Sequence, residues 1–306
     1  MVPTWSLRAA YPGRVSEVTT PPETGFDPRR LLILKDHLVG HARDLGRWAA
    51  AFAERARSGD GDLGMTTKTS PGDMVTFADA EVQRRLVEVL RELVPEAGFV
   101  GEEGLDETVA GDATWVIDPI DGTHNFVRGY PGFCVSVGLV VAGESVLGVI
   151  YDSVEDAVYW AVLGHGAWRG SERLQRPEPR AMSHALIATN FSAASARSPV
   201  DQRVHAELAR RSAGVRSSGA ACRDFCLFAS GRSDLFWQFG LSSWDVAAGV
   251  ALVREAGGTV VFGDAPQDWV RAPGLAAFAG EPALVQEAMG VWEAARSAAG
   301  AAGTST

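Results

Sequence analysis

Two aspartates close a hydrophobic run at Trp115-Val116-Ile117-Asp118-Pro119-Ile120-Asp121, and Gly122-Thr123-His124-Asn125 follows at once. Carboxylate oxygens at this spacing can share hard cations such as Mg2+. Gly122 lets backbone N–H groups approach an anion, and a helix starting there would turn its positive end towards a phosphate. Cation-bridging carboxylates beside a phosphate cradle are what phosphate-ester chemistry needs. The pair is also costly at the end of a buried strand unless cations or hydrogen bonds compensate it. Three other acidic points stand out: Glu102-Glu103 after Gly98-Phe99-Val100-Gly101, Asp73 and Asp79 around Val75-Thr76, and Asp245 after Ser242-Ser243-Trp244. Taken singly, Asp245 and Asp79 read equally as carboxylates at helix starts, and Glu102-Glu103 as a solvated turn.

The elements that must hold these residues follow from periodicity and punctuation. Asp27-Pro28 opens a helix that reaches about Arg57, and Phe77 to Leu93 forms a second, stopped by Pro95. Strands are expected at Gly98 to Gly101 and Trp115 to Asp118, and an antiparallel meander at Val135 to Val141, Val146 to Tyr151 and Ala157 to Val162. A polar, proline-containing stretch at 170–182 separates this part from a run of alternating elements. These are a strand at Leu186 to Thr189, a helix at Pro199 to Arg211, a strand at Val215, a helix at Ala220 to Ser230 and a strand at Asp234 to Gln238. A helix at Trp244 to Ala256, a strand at Thr259 to Phe262 and a last helix over 282–298 complete it. The expected organisation is a loose arm at 1–26, an α+β half at 27–180, an α/β half at 181–298 and a frayed tail at 299–306.

With 306 residues, the chain can build one large core or two tightly packed halves. Its 46% apolar and 22% charged residues are ordinary for a globular enzyme. The net charge of −10 and the lack of a Lys/Arg-rich run argue against a nucleic-acid polymer as partner. A small anionic substrate stays compatible, because bound metal reverses the sign locally. Cys134, Cys222 and Cys226 make no CxxC pair and read as small core residues, while the six histidines are scattered. Oxygen-loving Mg2+ therefore fits better than zinc or copper. No apolar run has membrane-spanning length, and the N-terminus lacks the basic start and apolar core of a signal peptide, so a cytoplasmic setting is expected.

Four segments together resemble the inositol monophosphatase family, within the Mg2+-dependent, lithium-sensitive phosphomonoesterases. They are Lys68 to Asp79, Gly101-Glu102-Glu103, Trp115 to Phe126, and Trp244 to Gly249 with Glu255-Ala256-Gly257-Gly258, in the family's order. The resemblance covers about residues 30–290. It implies a layered αβαβα sandwich of the sugar-phosphatase type, a homodimer and two or three Mg2+ ions per site. It assigns Glu102, Asp118 and the Ile120 carbonyl to a first metal and Asp118, Asp121 and Asp245 to a second; Glu102 also serves a weaker third. Asp79 and Thr123 match the pair that orients and deprotonates water for in-line attack on phosphorus. Gly122 and Thr123 match amide donors to the phosphate, while Lys68, Thr76 and Glu103 match supporting positions. No side-chain nucleophile is implied, and Cys134 lies in an apolar strand without a basic anion loop.

The alcohol side departs from the pattern. Gln238 stands seven residues before Asp245, where the family's inositol phosphatases usually carry a glutamate that contacts inositol hydroxyls. Ala220, in Gly219-Ala220-Ala221, replaces the family's hydroxyl residue, and His124 replaces its usual threonine, serine or lysine. Asn190, Ser192, Arg216 and Asp224 are pocket candidates by position. Inositol 1-phosphate or a related cyclitol or sugar phosphate is the expected substrate. Histidinol phosphate and a specialised amino-sugar phosphate are the alternatives, ahead of fructose bisphosphate, 3′-phosphoadenosine 5′-phosphate and a non-catalytic homologue.

Overall fold

Asp27 accepts a hydrogen bond from the Arg29 amide (2.9 Å) and Pro28 follows in the first turn, so α1 begins at Pro28 and runs to Arg57. The computed structural model describes residues 26–67, 74–264 and 268–303; residues 1–25 of the arm expected at 1–26, Lys68, Asp73 and the chain end at 304–306 lie outside the described residues. On α1, Leu31, Leu34, Leu38, Ala42, Leu45, Ala49 and Ala53 form one buried face. A two-stranded antiparallel pair, β1 (Thr66–Thr67) and β2 (Met74–Val75), leads into α2 (Phe77–Leu93).

The next stretch builds one sheet. Its strands are β3 (Gly98–Gly101), β4 (Leu105–Glu107), β5 (Ala113–Asp121), β6 (Cys134–Val141), β7 (Glu144–Asp152), β8 (Ala157–Val162), β9 (Gly166–Arg169) and β10 (Glu172–Arg173). The short helix α3 (Thr123–Arg128) interrupts them after β5. The spatial order is β10-β9-β8-β7-β6-β5-β3-β4, antiparallel except where β3 runs parallel to β5.

A second sheet follows, built from β11 (Leu186–Ala188), α4 (Pro199–Arg211), β12 (Gly214–Arg216), α5 (Ala221–Ala229), β13 (Leu235–Leu241), α6 (Ser243–Glu255), β14 (Thr259–Gly263), β15 (Leu275–Gly280) and α7 (Pro282–Gly303). Its order is β12-β11-β13-β15-β14, with β11 parallel to both β12 and β13. The last helix thus continues to Gly303, past the expected end at 298.

Helices α1 and α2 cover the outer face of the first sheet, α5 and α6 lie between the sheets, and α4 and α7 cover the second. This is the αβαβα sandwich implied by the sequence. Close packing in the middle layer places α6. A Cβ added at Gly148 would lie 2.3 Å from the Ala248 carbonyl oxygen, and one at Gly138 would lie 2.9 Å from the Ala247 Cβ. The bare glycines of β6 and β7 therefore let the Ala247-Ala248 face of α6 rest on the sheet, and the Ser145 hydroxyl donates to the Ala247 carbonyl (2.6 Å). Buried Arg176 ties the linker after β10 to the second sheet by pairing with Glu281 (2.7 Å). Among the described residues, no helix is long and apolar enough to cross a membrane.

Candidate active site

Strand register brings the acidic points together. Gly101 of β3 pairs with Ile117 of β5, so Glu102, just past the end of β3, lies beside Asp118 of parallel β5; the Glu102 amide donates to the Ile117 carbonyl (3.3 Å). Between Asp118, opposite Ser136, and Asp121, opposite Cys134, β5 carries one residue more than β6. Pro119, which has no N–H to donate, sits in this bulge, and the kink re-aims both carboxylates. Asp79 and Asp245 enter from helix starts. Asp79 Oδ2 accepts from the Thr76 amide (2.8 Å) and hydroxyl (2.5 Å), closing a capping box on α2. Asp245 Oδ2 accepts from the Ser242 amide (2.7 Å) in the same way on α6. The helix-start reading of these two aspartates is therefore satisfied by one oxygen each, which leaves their other oxygen for a second role.

The cluster is electrostatically crowded. Burial, followed by the negative charges of Glu102, Asp121, Asp245 and Asp79, holds the Asp118 carboxyl well above the usual carboxylate range. Burial also raises Asp121, against the opposing pull of the Cys222 and Ala221 amides. Those amides donate to Asp121 Oδ2 (2.7 Å) and Oδ1 (3.0 Å), so the start of α5 holds this side chain. Asp245 is raised by burial and by Asp121, and Asp79 is pushed up to about 6 by burial, with Thr76 opposing. Asp118 Oδ1 and Asp79 Oδ1 are buried without a hydrogen-bond partner. Such oxygens are expensive unless something satisfies them. Ligand atoms of Asp118, Asp121 and Cys222 lie within 4.8 Å of one another. An oxygen-rich, negatively charged donor set fits a hard divalent cation.

Gly122 has φ +88° and joins this cluster to the second sheet's turn. A Cβ there would lie 3.1 Å from the Ala220 Cβ and 3.2 Å from the Gly219 carbonyl oxygen. Helix α3 starts at Thr123, whose hydroxyl donates to the Ile120 carbonyl (3.1 Å). Asn125 fixes the far side by donating to the carbonyls of Gly132 (2.7 Å) and Ser218 (2.9 Å). His124 is exposed.

The alcohol-side candidates fall into two groups. Asn190, Gln238, Asp224 and Gly219 form one hydrogen-bonded network. Asn190 Nδ2 donates to Asp224 Oδ2 and to Gln238 Oε1 (both 3.0 Å), while Asn190 Oδ1 accepts from the Gly219 amide (2.7 Å) and the Ser217 hydroxyl (3.1 Å). Exposed Arg216 instead turns to the Val215 carbonyl and exposed Ser192 to Ser195, outside this network. Cys134 is fully buried, and burial drives its thiol far from ionisation.

Sequence reasoning missed two residues. Gln83, on the buried face of α2, accepts from the Glu103 amide and donates to the Glu103 carbonyl (both 3.1 Å), holding the Glu102-Glu103 turn. A glutamine among the apolar positions of an amphipathic helix was the available signal. Cys222 reads from sequence as core filler, and its place beside Asp118 and Asp121 depends on the α5 contact, which spans 101 residues.

A layered sandwich that gathers carboxylates from strand ends and helix starts beside a glycine turn places this chain among the phosphoric monoester hydrolases. The model of the inositol monophosphatase family matches residues 35–292, and the chain belongs to that family. It is 36% identical to the inositol-1-monophosphatase of Bacillus subtilis over 199 residues, 64% of this chain and 75% of that protein. It is also 36% identical to the inositol-1-monophosphatase of Mycobacterium bovis over 247 residues, 77% of this chain and 85% of that one. Among solved structures, the extragenic suppressor protein suhB of Bartonella henselae superposes with a TM-score of 0.76 at 28% identity, covering 85% of this chain and 98% of that one.

Proposed function

We propose that this chain hydrolyses the phosphate monoester of a small polyol or sugar, with inositol 1-phosphate or a related cyclitol phosphate as first choice, and that Mg2+ is its resident cation. The observation that carries this reading is the pair of buried, unpartnered carboxylate oxygens, Asp118 Oδ1 and Asp79 Oδ1, inside the cluster beside Gly122. Glu102, Asp118, Asp121, Asp245 and the Ile120 carbonyl would hold two or three Mg2+ ions. Mg2+ held there lowers the pKa of water and neutralises charge on phosphate oxygens.

The chain's own groups do the rest. Asp79 Oδ2 is fixed by Thr76, which leaves Oδ1 to take the proton of the attacking water. The Thr123 hydroxyl proton is committed to Ile120, so its oxygen accepts from that water and aims it. The Gly122 and Thr123 amides receive the phosphate, and Gln83 and Thr76 keep the carboxylates in place. Residues 27–180 would supply the cation and phosphate contacts apart from Asp245, and residues 181–298 the alcohol contacts. The homodimer implied by the family resemblance and the cytoplasmic setting expected from the sequence belong to the same reading.

The test is phosphate release at fixed Mg2+, with an EDTA control, from inositol 1-phosphate, histidinol phosphate, fructose 1,6-bisphosphate and 3′-phosphoadenosine 5′-phosphate. The expected result is EDTA-sensitive turnover with the highest kcat/KM for the cyclitol or a sugar phosphate. Turnover that survives EDTA would overturn the cation assignment, and a preference for histidinol phosphate would overturn the substrate.

A further inference from the structure

Cys222 stands among carboxylates because of where α5 begins. It is the second residue of that helix (Ala221–Ala229), and its backbone amide donates to Asp121 Oδ2 (2.7 Å). That bond pins the residue against the end of β5. Its thiol donates to the Asp245 carbonyl, with Sγ 3.4 Å from the oxygen. One ligand atom each of Asp118, Asp121 and Cys222 lie within 4.8 Å of one another, and all three residues are buried. Among the described residues, this is the one such trio of candidate ligand side chains. A second, independent mark falls on the same carboxylates: Asp118 is 1% exposed, and its Oδ1 is buried without a hydrogen-bond partner. Such an atom calls for a cation or donor that the chain does not supply.

A thiol adds nothing for Mg2+, which binds through oxygen in a near-ideal octahedral shell. It matters for softer ions. Zn2+ takes thiolate together with carboxylate, and thiolate ligands favour thiophilic ions in general. Tetrahedral Zn2+, with bonds of about 2.0–2.3 Å, needs ligand atoms about 3.5 Å apart. The trio therefore has to close by little more than an ångström. Three protein ligands leave the fourth position to water, as in open zinc sites.

We propose that Asp118, Asp121 and Cys222 form a site for a thiophilic divalent cation, Zn2+ or Cd2+, which overlaps the two carboxylates that Mg2+ would use. The ion takes a sulfur lone pair, and the thiol proton passes to solvent. An ion held there excludes Mg2+ and stops turnover. The site itself stands on the geometry of the trio; only the arrest of turnover rests on the phosphomonoesterase reading.

The experiment has two arms on the full chain. In the first, protein freed of metal with EDTA and dialysed is titrated with Cd2+, and the ultraviolet sulfur-to-Cd2+ charge-transfer band is followed. The band should saturate at one ion per chain and fade as excess Mg2+ is added. Cys222→Ser should lose it, and Cys226→Ser, one helical turn further along α5, should keep it. In the second arm, Zn2+ is added to p-nitrophenyl phosphate hydrolysis at fixed Mg2+, with each variant referred to its own rate in Mg2+ alone. The half-inhibitory Zn2+ concentration should rise by about tenfold or more in Cys222→Ser. Cys222→Ala repeats both arms without a hydroxyl, and circular dichroism checks that each variant is folded.

No band in the natural protein, a band that survives in both Cys222 variants, or one that Mg2+ leaves in place would overturn the inference. Zn2+ sensitivity unmoved by both substitutions would do the same, and each of these results leaves the phosphatase reading intact. A natural protein that shows the expected band but hydrolyses no ester at any Mg2+ concentration would overturn that reading and uphold the cation site.

Discussion

The two ends of the candidate site are built on opposite principles. At the end formed by β3, β5 and the starts of α2 and α6, five carboxylates converge and buried oxygens stay unpartnered. At the end formed by β11, β13 and the Gly219 turn, the Asn190 side chain has all its hydrogen-bonding positions filled from within the chain. The first leaves buried oxygens unsatisfied by the chain itself; the second is satisfied from within the chain. Under-satisfaction at one end creates affinity for charge, and saturation at the other creates specificity of shape and polarity.

The largest effect should come from breaking the first end. Asp118→Asn removes one negative charge from the residue on which Glu102, Asp121, Asp245 and Asp79 all press. At saturating Mg2+, kcat with p-nitrophenyl phosphate should fall by about a thousandfold, the scale of losing a principal electrostatic contact in a transition state. The fold should survive, since the substitution relieves repulsion, and circular dichroism with a thermal melt checks this. Near-natural kcat in a folded Asp118→Asn protein would refute the metal assignment.

A smaller effect concerns stability and pH. Asp79 rises from an ordinary value of 3.8 to about 6, and Asp118, Asp121 and Asp245 shift in the same direction. The folded chain therefore binds protons that the unfolded chain releases, so this contribution is full below about pH 4 and is lost as pH rises through about 6. For Asp79 alone it amounts to at most about 3 kcal/mol. In EDTA, Tm should fall between about pH 4 and pH 7. Mg2+, which favours the ionised carboxylates, should flatten the slope, and Asp79→Asn should make it shallower in EDTA. Calorimetry across this window decides the matter, and a slope in EDTA unchanged by Asp79→Asn would remove Asp79 from the account.

The carboxylate end was largely legible in the sequence because its residues follow apolar runs and helix-start signals that are local. Asp27-Pro28 announces α1, and Thr76 with Asp79 announces α2. The alcohol end was legible only as positions. That Asn190 serves Gln238 depends on parallel pairing of β11 with β13 and on a contact 48 residues away, which no local pattern encodes. Strand β15 was hidden for a different reason. Leu275-Ala276-Ala277-Phe278-Ala279-Gly280 has weak strand propensity, and its small residues are set by packing between β13 and β14.

The smallest expected effect sharpens the same contrast, because Gln83 gives the carboxylate end one saturated support. Its amide pairs with both backbone groups of Glu103, and its Oε1 would lie 2.6 Å from a Cβ on Gly101, so the turn after β3 is clamped to α2. Gln83→Ala leaves an N–H and a carbonyl to find water, at a cost of about 1–2 kcal/mol in a chemical melt. Its functional signature should be a rise of about tenfold in the Mg2+ concentration for half-maximal activity, as expected when a group orienting a metal ligand is lost. The kcat at saturating Mg2+ and the order of preferred esters should both hold. A change in ester preference without a change in Mg2+ requirement would mean that the two ends are mechanically coupled through α2, and that treating one as the cation's and the other as the alcohol's is mistaken.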